Sequence, residues 1–569
     1  MRRSFALGAG LFALSWLVFV ANCRVVAGED TFATALLPFA IWNGDGLALD
    51  RFVGTAVAAD SYVVWRAGDG HWRSSYPVGT AIVALPFYLP VLAAIGDDAR
   101  DPALVAAVAR PLEKFAAATL AALAVAALFA ALRRSTSAGR AALLALAFGL
   151  ASPLWAVGAQ ALWQHTAEAL LLAVALLVVV RGGRGYGDGL WLGLLATALV
   201  WVRPTGAFYA AALAAIGLRR GARPAAGLAL VGLAGALAFF TVNLAAGSGW
   251  LGAYPWVSGR WFRLSLANAA GPFLSPRGLL FFAPYLPLVV LPPRPHRELG
   301  AGDRRSLLLA WGAHAALIAT FAPWSGGENY GARYTIDGLP ILFVLGARAL
   351  DAPLARWRAA LLAAGALAAA GLQAIGASGF PGGESAFAAN RQPIAWSLSR
   401  SVVRLAANAG ASPPELFPLA RLGAQVPLAP ENRRASIELL RPLPERVARL
   451  GLVEAHLRLR NVGGAKFEPW GGPGGRFAVR LLVVWRAGDR VARWSTFGIG
   501  GALAPGEERD RSLALLAPRG PGIFRVEFRW IETTDGDPTL FDEAPSGLAT
   551  ATVAVVRDGP TGEPPRSGR

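Results

Sequence analysis

The chain has 569 residues, of which 55% are hydrophobic and only 16% charged, where a soluble globular protein carries about 25% charged residues. Its formal net charge of +18 would suggest nucleic acid in a soluble chain, but much of the arginine sits in short loops between apolar runs, so membrane topology accounts for it and nucleic acid is not a partner. The single cysteine, Cys23, excludes an internal disulfide and any cysteine-based metal cluster.

Repeated apolar runs of about 14–22 residues predict a polytopic α-helical membrane protein. The first, Phe5–Asn22, follows Arg2 and Arg3, which place its start in the cytoplasm. It is too long, and too poorly followed by a cleavage site, to be a removed leader. A long outer loop, residues 23–110, comes next. It opens on two adjacent carboxylates, Glu29 and Asp30, and contains the turn Asn43–Gly46. Within it, the apolar run to Ile95 is broken by Pro77, Pro86 and Pro90 and reads as a re-entrant or interface-lying pair of helices rather than a span.

Nine further spans are expected after Pro111–Leu132, about eleven in all counting the first. They are Ala141–Ala159, Thr166–Val180, the two halves of a hairpin broken at Arg203-Pro204-Thr205-Gly206, Pro224–Ala245, Gly278–Leu291, Ser306–Phe321, Gly338–Leu350 and Ala359–Ala377. Each expected inner loop carries two or more arginines. The membrane domain is thus 1–377, followed by a connector at 378–434. From 435 to 557 seven short alternating runs separated by Gly- and Pro-rich turns predict an all-β immunoglobulin-like sandwich. The tail, 558–569, has the composition of a disordered segment.

No phosphate-binding loop, dinucleotide fingerprint, zinc-protease motif or nucleophile elbow is present. Chemistry therefore falls to carboxylates and arginines. A partly desolvated carboxylate at the mouth of the first span can have a raised pKa and act as a general base on a hydroxyl, which makes Asp30 and Glu29 the catalytic candidates. Arg203, Arg277 and Arg333 each sit at an outer membrane boundary close to Pro or Gly, where an unpaired arginine is costly and a functional one is suited to phosphate. Glu328 and Tyr330, in the same GGENYGARY block as Arg333, and His165 at the outer end of its span complete the set of substrate-binding candidates. An interhelical ion pair is an equally good reading of Arg203, and a structural hydrogen bond a better one of His165.

The blocks GEDTFATALLPFAIWNGDGLALD, SSYPVGTAIVALPFYLP, LASPLWAVGAQALWQH, VRPTG, LSPRGLLFFAPYLP and WSGGENYGARYTIDGLP occur together and in order. With an acidic residue after the first helix, they resemble the GT-C superfamily of membrane glycosyltransferases, such as protein O-mannosyltransferases and the aminoarabinose transferase of lipid A. The resemblance covers about Phe5–Ala377. It implies a sugar donor linked to dolichyl or polyprenyl phosphate, and places Asp30 where the family's catalytic base sits. Many members have Asp followed by Glu, whereas here Glu29 precedes Asp30, so both carboxylates stay candidates.

The expected function is transfer of a sugar, with inversion, from a polyprenyl-phosphate donor to an envelope glycan, lipid or protein acceptor. It would take place on the outer face of a bacterial inner membrane, with the N-terminus cytoplasmic and the C-terminal domain outside. No motif indicates a metal or other cofactor, although a divalent ion stays open. The alternatives are a transporter or flippase of lipid-linked sugars, or a non-catalytic envelope assembly protein.

Overall fold

The computed structural model describes residues 2–556 apart from 23, 27, 58, 60, 250–251, 254–261, 292–297, 328, 351–354, 381–393, 399–400, 410–425, 450, 469–476, 500–501, 519, 534–538 and 542–547. The expected tail, and much of the expected connector, lie outside the described residues.

The N-terminal part is helical. Helix α1 (Arg2–Val20) leads to the loop carrying Glu29 and Asp30, then to α2 (Phe32–Trp42). A two-stranded hairpin, β1 (Val64–Arg66) and β2 (Trp72–Ser74), precedes α3 (Gly79–Ile95) and α4 (Pro102–Leu132). The run expected to form a pair of helices is one helix, α3, which with the 3-10 turn after it is among the five helices that, among the described residues, are long and apolar enough to cross a membrane. Pro86 and Pro90 remain inside it. The span expected from Pro111 belongs to a longer helix. Asp101 caps α4 by accepting from the Ala103 N–H (2.9 Å), with Pro102 at the first helical position, so the helix begins well before Pro111.

Helices α5 (Ala138–Leu150), α6 (Gln164–Arg181), α7 (Tyr186–Val202), α8 (Ala207–Arg220) and α9 (Ala222–Ala245) follow. α6 stops at Gly182, which takes the left-handed conformation (φ 70°) and returns its N–H to the Val179 carbonyl. α7 and α9 cross at small residues. A Cβ on Gly189 would lie 2.1 Å from the Pro224 carbonyl oxygen, so only glycine lets the two backbones meet. The hairpin expected to break at Arg203 does so: Pro204 has no N–H to continue α7, and a short 3-10 turn starts α8.

Beyond α9 come α10 (Leu266–Leu274), α11 (Leu279–Phe282), α12 (Leu286–Val290), α13 (Ala301–Ala319), α14 (Leu339–Gly346), α15 (Arg356–Gly379) and α16 (Val402–Ala409). The expected span Gly278–Leu291 is split into α11 and α12 by the Ala283–Tyr285 turn. With five helices among the described residues long and apolar enough to cross a bilayer, and shorter apolar ones beside them, this part of the chain is membrane-embedded.

The C-terminal part is β. One sheet runs β4 (Arg446–Ala448), β11 (Leu548–Val556), β9 (Gly522–Glu532), β6 (Val479–Ala487), β7 (Arg490–Gly498), with β10 (Thr539–Leu540) beside β9. The other runs β3 (Ala435–Leu439), β5 (Leu452–Asn461), β8 (Glu508–Leu516). Val453 and Leu457 of β5 share one apolar core with Leu481, Trp485, Phe528 and Trp530 of the larger sheet. Alternate residues of β9, Phe524, Val526, Phe528 and Trp530, face that core, as do Val453, Ala455, Leu457 and Leu459 of β5. Each of the seven expected strands has a counterpart here.

Candidate active site

Asp30 lies in a single 3-10 turn, Glu29–Thr31, between α1 and α2. Thr31 holds the turn. Its hydroxyl donates to the Gly28 carbonyl (3.0 Å) and accepts from Arg110 Nη1 (3.1 Å). Arg110 is fixed in turn by Glu113 (2.6 Å) and by the face of Phe32, 3.5 Å from its guanidinium carbon. The carboxylate of Asp30 is thus carried on a rigid loop braced by α4.

Two tyrosines reach Asp30 from the β1–β2 hairpin. Val64 pairs with Ser74, and the Ser75 N–H donates to the Val63 carbonyl (2.8 Å), which brings the flanking positions 62 and 76 alongside each other. The Tyr62 hydroxyl donates to Asp30 Oδ1, and the Tyr76 hydroxyl also hydrogen-bonds the carboxyl group. Glu29 points elsewhere: it accepts from the Ser61 hydroxyl (2.6 Å) and is exposed.

The cation opposite Asp30 is Arg333. Its Nη1 lies 2.6 Å from Asp30 Oδ2, with the two side chains 9% and 18% exposed. Arg333 Nη2 donates to the Tyr334 hydroxyl (2.9 Å), and the guanidinium sits 4.6 Å from the Trp163 ring and 4.8 Å from that of Tyr334. Gly28 makes room for Trp163, because a Cβ there would lie 2.7 Å from the indole.

The electrostatics differ from the raised carboxylate pKa expected at a desolvated boundary. Burial does push the Asp30 pKa up, but Arg333 and the two tyrosine hydroxyls outweigh it and hold the group below the ordinary carboxylate value. Burial likewise opposes the Arg333 cation, and Tyr334 and Asp30 beside it hold its pKa well above the ordinary arginine value. Both groups are charged at neutral pH.

Beneath this pair lies a second, fully buried cluster. Arg203 donates to Asp337, and His165 Nδ1 lies 2.6 Å from Asp337 Oδ1. His314 of α13 approaches Asp337 at 3.5 Å and meets the Tyr209 hydroxyl at 2.5 Å. Glu168 is buried in the same cluster. The Tyr334 ring joins the two layers, with His165 at 5.4 Å on one side and Arg333 on the other.

Arg277 is 1% exposed and spends its donors on backbone: Nη1 to the Tyr330 carbonyl (3.0 Å), Nη2 toward that of Asn329 (3.5 Å). Burial lowers its pKa to about 9. Tyr330 itself donates to the Leu372 carbonyl (2.7 Å) and packs against Phe282 and Phe380. Of the sequence candidates, then, Asp30 and Arg333 meet. Arg203 and His165 meet each other on Asp337, one layer deeper. Arg277 and Tyr330 brace the loop that leads to Arg333, and Glu328 lies outside the described residues. Among the described residues, no three His, Cys, Asp or Glu side chains group as a metal site.

Tyr62, Tyr76, Trp163 and Asp337 were not singled out by the sequence, and Tyr334 reads there as an interfacial aromatic. Asp69-Gly70, flanked by apolar residues, was a usable hairpin signal for the first two. Asp337 resembles an ordinary turn residue ahead of a helix.

No protein-family model matches the chain, and no curated protein matches it in sequence. Among solved structures, ArnT from Cupriavidus metallidurans bound to undecaprenyl phosphate is similar over 65% of this chain and 64% of ArnT, at 18% identity and a TM-score of 0.41. The apo state of the same protein gives 17% identity over 64% of each chain and a TM-score of 0.38. The chain therefore spans a little under two thirds of ArnT's length. The CARDB domain of the PF1109 protein from Pyrococcus furiosus, in complex with di-metal ions, is covered over 94% of its length by 22% of this chain, at 19% identity and a TM-score of 0.15.

Proposed function

We propose that the protein is a membrane glycosyltransferase that moves a sugar from a polyprenyl-phosphate donor to an acceptor hydroxyl, with Asp30 as general base and Arg333 as the phosphate-binding cation. The observation that carries this reading is the 2.6 Å pairing of Asp30 with Arg333 inside a shell of two tyrosine hydroxyls. A carboxylate held ionised beside an arginine is a base in waiting. The donor phosphate competes for the guanidinium, the ion pair opens, and Asp30 is left partly buried and more basic.

Asp30 then takes the proton from the acceptor hydroxyl. The acceptor oxygen bonds to the anomeric carbon from the face opposite the phosphate, the carbon–oxygen bond to phosphate breaks, and its electron pair leaves on the lipid phosphate. Configuration inverts. Arg333 stabilises the charge that develops on the departing phosphate. Glu29, turned to Ser61 and water, is a bystander in this reading. Asp337 holds Arg203 and His165, which position the Tyr334 ring from 5.6 and 5.4 Å, and Arg277 sets the loop before Arg333.

A donor carried in the lipid suits this site because nucleotide sugars are not available outside the cytoplasm and the chain has no nucleotide motif. The finer topology belongs to the same proposal: about eleven spans, the site on the outer face of a bacterial inner membrane, and an immunoglobulin-like C-terminal module presented outside. Transfer from a labelled polyprenyl-phosphate sugar by Asp30→Asn protein, compared with wild type, tests the reading. Translocation of the donor without transfer would favour a transporter instead.

A further inference from the structure

A cleft opens between the loop around the β1–β2 hairpin and the ends of α7 and α9, enclosing about 610 Å³ of space, part of it open to solvent. Trp65, Arg73 and Tyr76 line one wall, and Trp201, Phe239 and Asn243 the other. Gly79, at the start of α3, keeps the two walls close: a Cβ there would lie 2.3 Å from the Trp201 carbonyl carbon.

We propose that this cleft seats the acceptor, and that the acceptor group it takes is a neutral saccharide. The proposal rests on the glycosyltransferase reading for the word acceptor, but the saccharide site stands on its own observations. First, the cleft adjoins the reactive pair. Tyr76 lines it while its hydroxyl bonds Asp30, so a bound hydroxyl is one side chain from the base. Second, two donors on opposite walls, Arg73 Nε and Asn243 Nδ2, are buried without a hydrogen-bond partner. Orphaned buried donors are rare and costly, and a ligand with acceptor oxygens satisfies them.

Third, the charge of Arg73 is already met by Asp69 at 2.6 Å. Among the described residues lining the cleft Arg73 is the sole cation, and with Asp69 beside it the cleft favours hydroxyl and ring oxygens, which need no cation, over a phosphate. Fourth, Trp201 spends its indole N–H on the Gly235 carbonyl (3.1 Å), so its contribution to the cleft is an apolar ring. Trp65 faces it from the other wall. An apolar enclosure with a few convergent donors is the general form of a small-molecule site, and aromatic planes suit the C–H face of a sugar.

The saccharide can come from two sources, a membrane glycolipid or a free glycan. α9 exposes Leu233, Leu237 and Leu244 below the cleft, a lipid-facing surface that would let a glycolipid enter sideways.

The test is saturation-transfer NMR on the full-length protein in lipid nanodiscs. The probes are an equimolar set of glucose, galactose, mannose, N-acetylglucosamine and arabinose, then the octyl glycosides of the same sugars. The expected result is transfer to ring protons of at least one sugar, weakened about tenfold in both Trp65→Ala and Asn243→Leu, with undecaprenyl phosphate failing to displace it. Stronger signal from the octyl glycosides identifies a glycolipid, and equal signal a free glycan. No signal from any sugar, a signal unchanged in both variants, or displacement by undecaprenyl phosphate overturns the proposal. Sugar binding in a protein that transfers nothing would sink the transferase reading and leave the saccharide site standing.

Discussion

Asp30, on the turn after the first helix, and Arg333, on the turn before α14, stand 2.6 Å apart. The pair joins the first turn of the helical region to the loop between α13 and α14. It also fixes the charge state of both groups. Asp30 is ionised because Arg333 and two tyrosines overcome its burial, and Arg333 is charged because Tyr334 and Asp30 overcome its own.

The pH dependence follows from that pairing. The Asp30 pKa in the free protein is lowered, so the contribution of the ion pair to stability is fully present above the ordinary carboxylate value of 3.8 and is lost as pH falls through the lowered value. In the proposed mechanism donor phosphate draws Arg333 away, burial prevails and the Asp30 pKa rises. The acid limb of kcat should therefore lie at higher pH than the acid limb of kcat/KM. Profiles measured at saturating and limiting donor check this. Coincident limbs, or the reverse order, would count against exchange of Arg333 between Asp30 and phosphate.

Replacement of Arg333 separates its charge from its fork. Arg333→Lys keeps a cation but loses the paired donors that grip Asp30 and Tyr334, and should lower transfer by about 10²–10³. Binding of undecaprenyl phosphate should weaken in the same variant. Wild-type affinity for that lipid in Arg333→Ala protein would show that another group holds the phosphate.

Gly28 supports the cation from behind. In Gly28→Ala the new methyl would press on Trp163, whose ring lies 4.6 Å from the Arg333 guanidinium. Displacing the arginine by a fraction of an ångström should cut kcat by roughly ten- to a hundredfold, with a modest loss of stability. Steady-state rates together with thermal unfolding in detergent distinguish this from simple misfolding.

The Arg203–Asp337 pair is read here as structural. Arg203→Met strands a buried carboxylate and should destabilise the protein by about 3–5 kcal/mol, seen as a lower unfolding temperature. Removing both charges, in Arg203→Met with Asp337→Leu, should recover much of that loss. A stable Arg203→Met protein that no longer binds polyprenyl phosphate would return Arg203 to the substrate.

Parts of this arrangement were legible in the sequence. Asp30 and Arg333 each stand out as charges at an apolar boundary, since such charges are rare and expensive there. The β-strands were equally plain, because alternation along Val453–Leu459 or Phe524–Trp530 has no helical explanation. Pairing was harder to see. Nothing local tells that Arg203 turns to Asp337 while Arg333 turns to Asp30. Both arginines follow similar sequence cues, and only the packing of α6, α7 and α13 decides between them. Tyr62 and Tyr76 were hidden for a related reason: their shared target depends on hairpin register, which is set by hydrogen bonds across the turn. The run from Val78 to Ile95 misled in a third way. Its prolines suggested a break, yet α3 accommodates Pro86 and Pro90 within one continuous helix.

In the proposed mechanism Asp30 is the base. The most direct measurement is the rate of sugar transfer from a labelled polyprenyl-phosphate donor by Asp30→Asn and Glu29→Gln proteins reconstituted in lipid, each shown to be folded by its unfolding temperature. Asp30→Asn should lose transfer by about 10²–10⁴, while Glu29→Gln stays close to wild type. Folded Asp30→Asn protein transferring at the wild-type rate, or Glu29→Gln protein suffering the larger loss, would contradict the assignment.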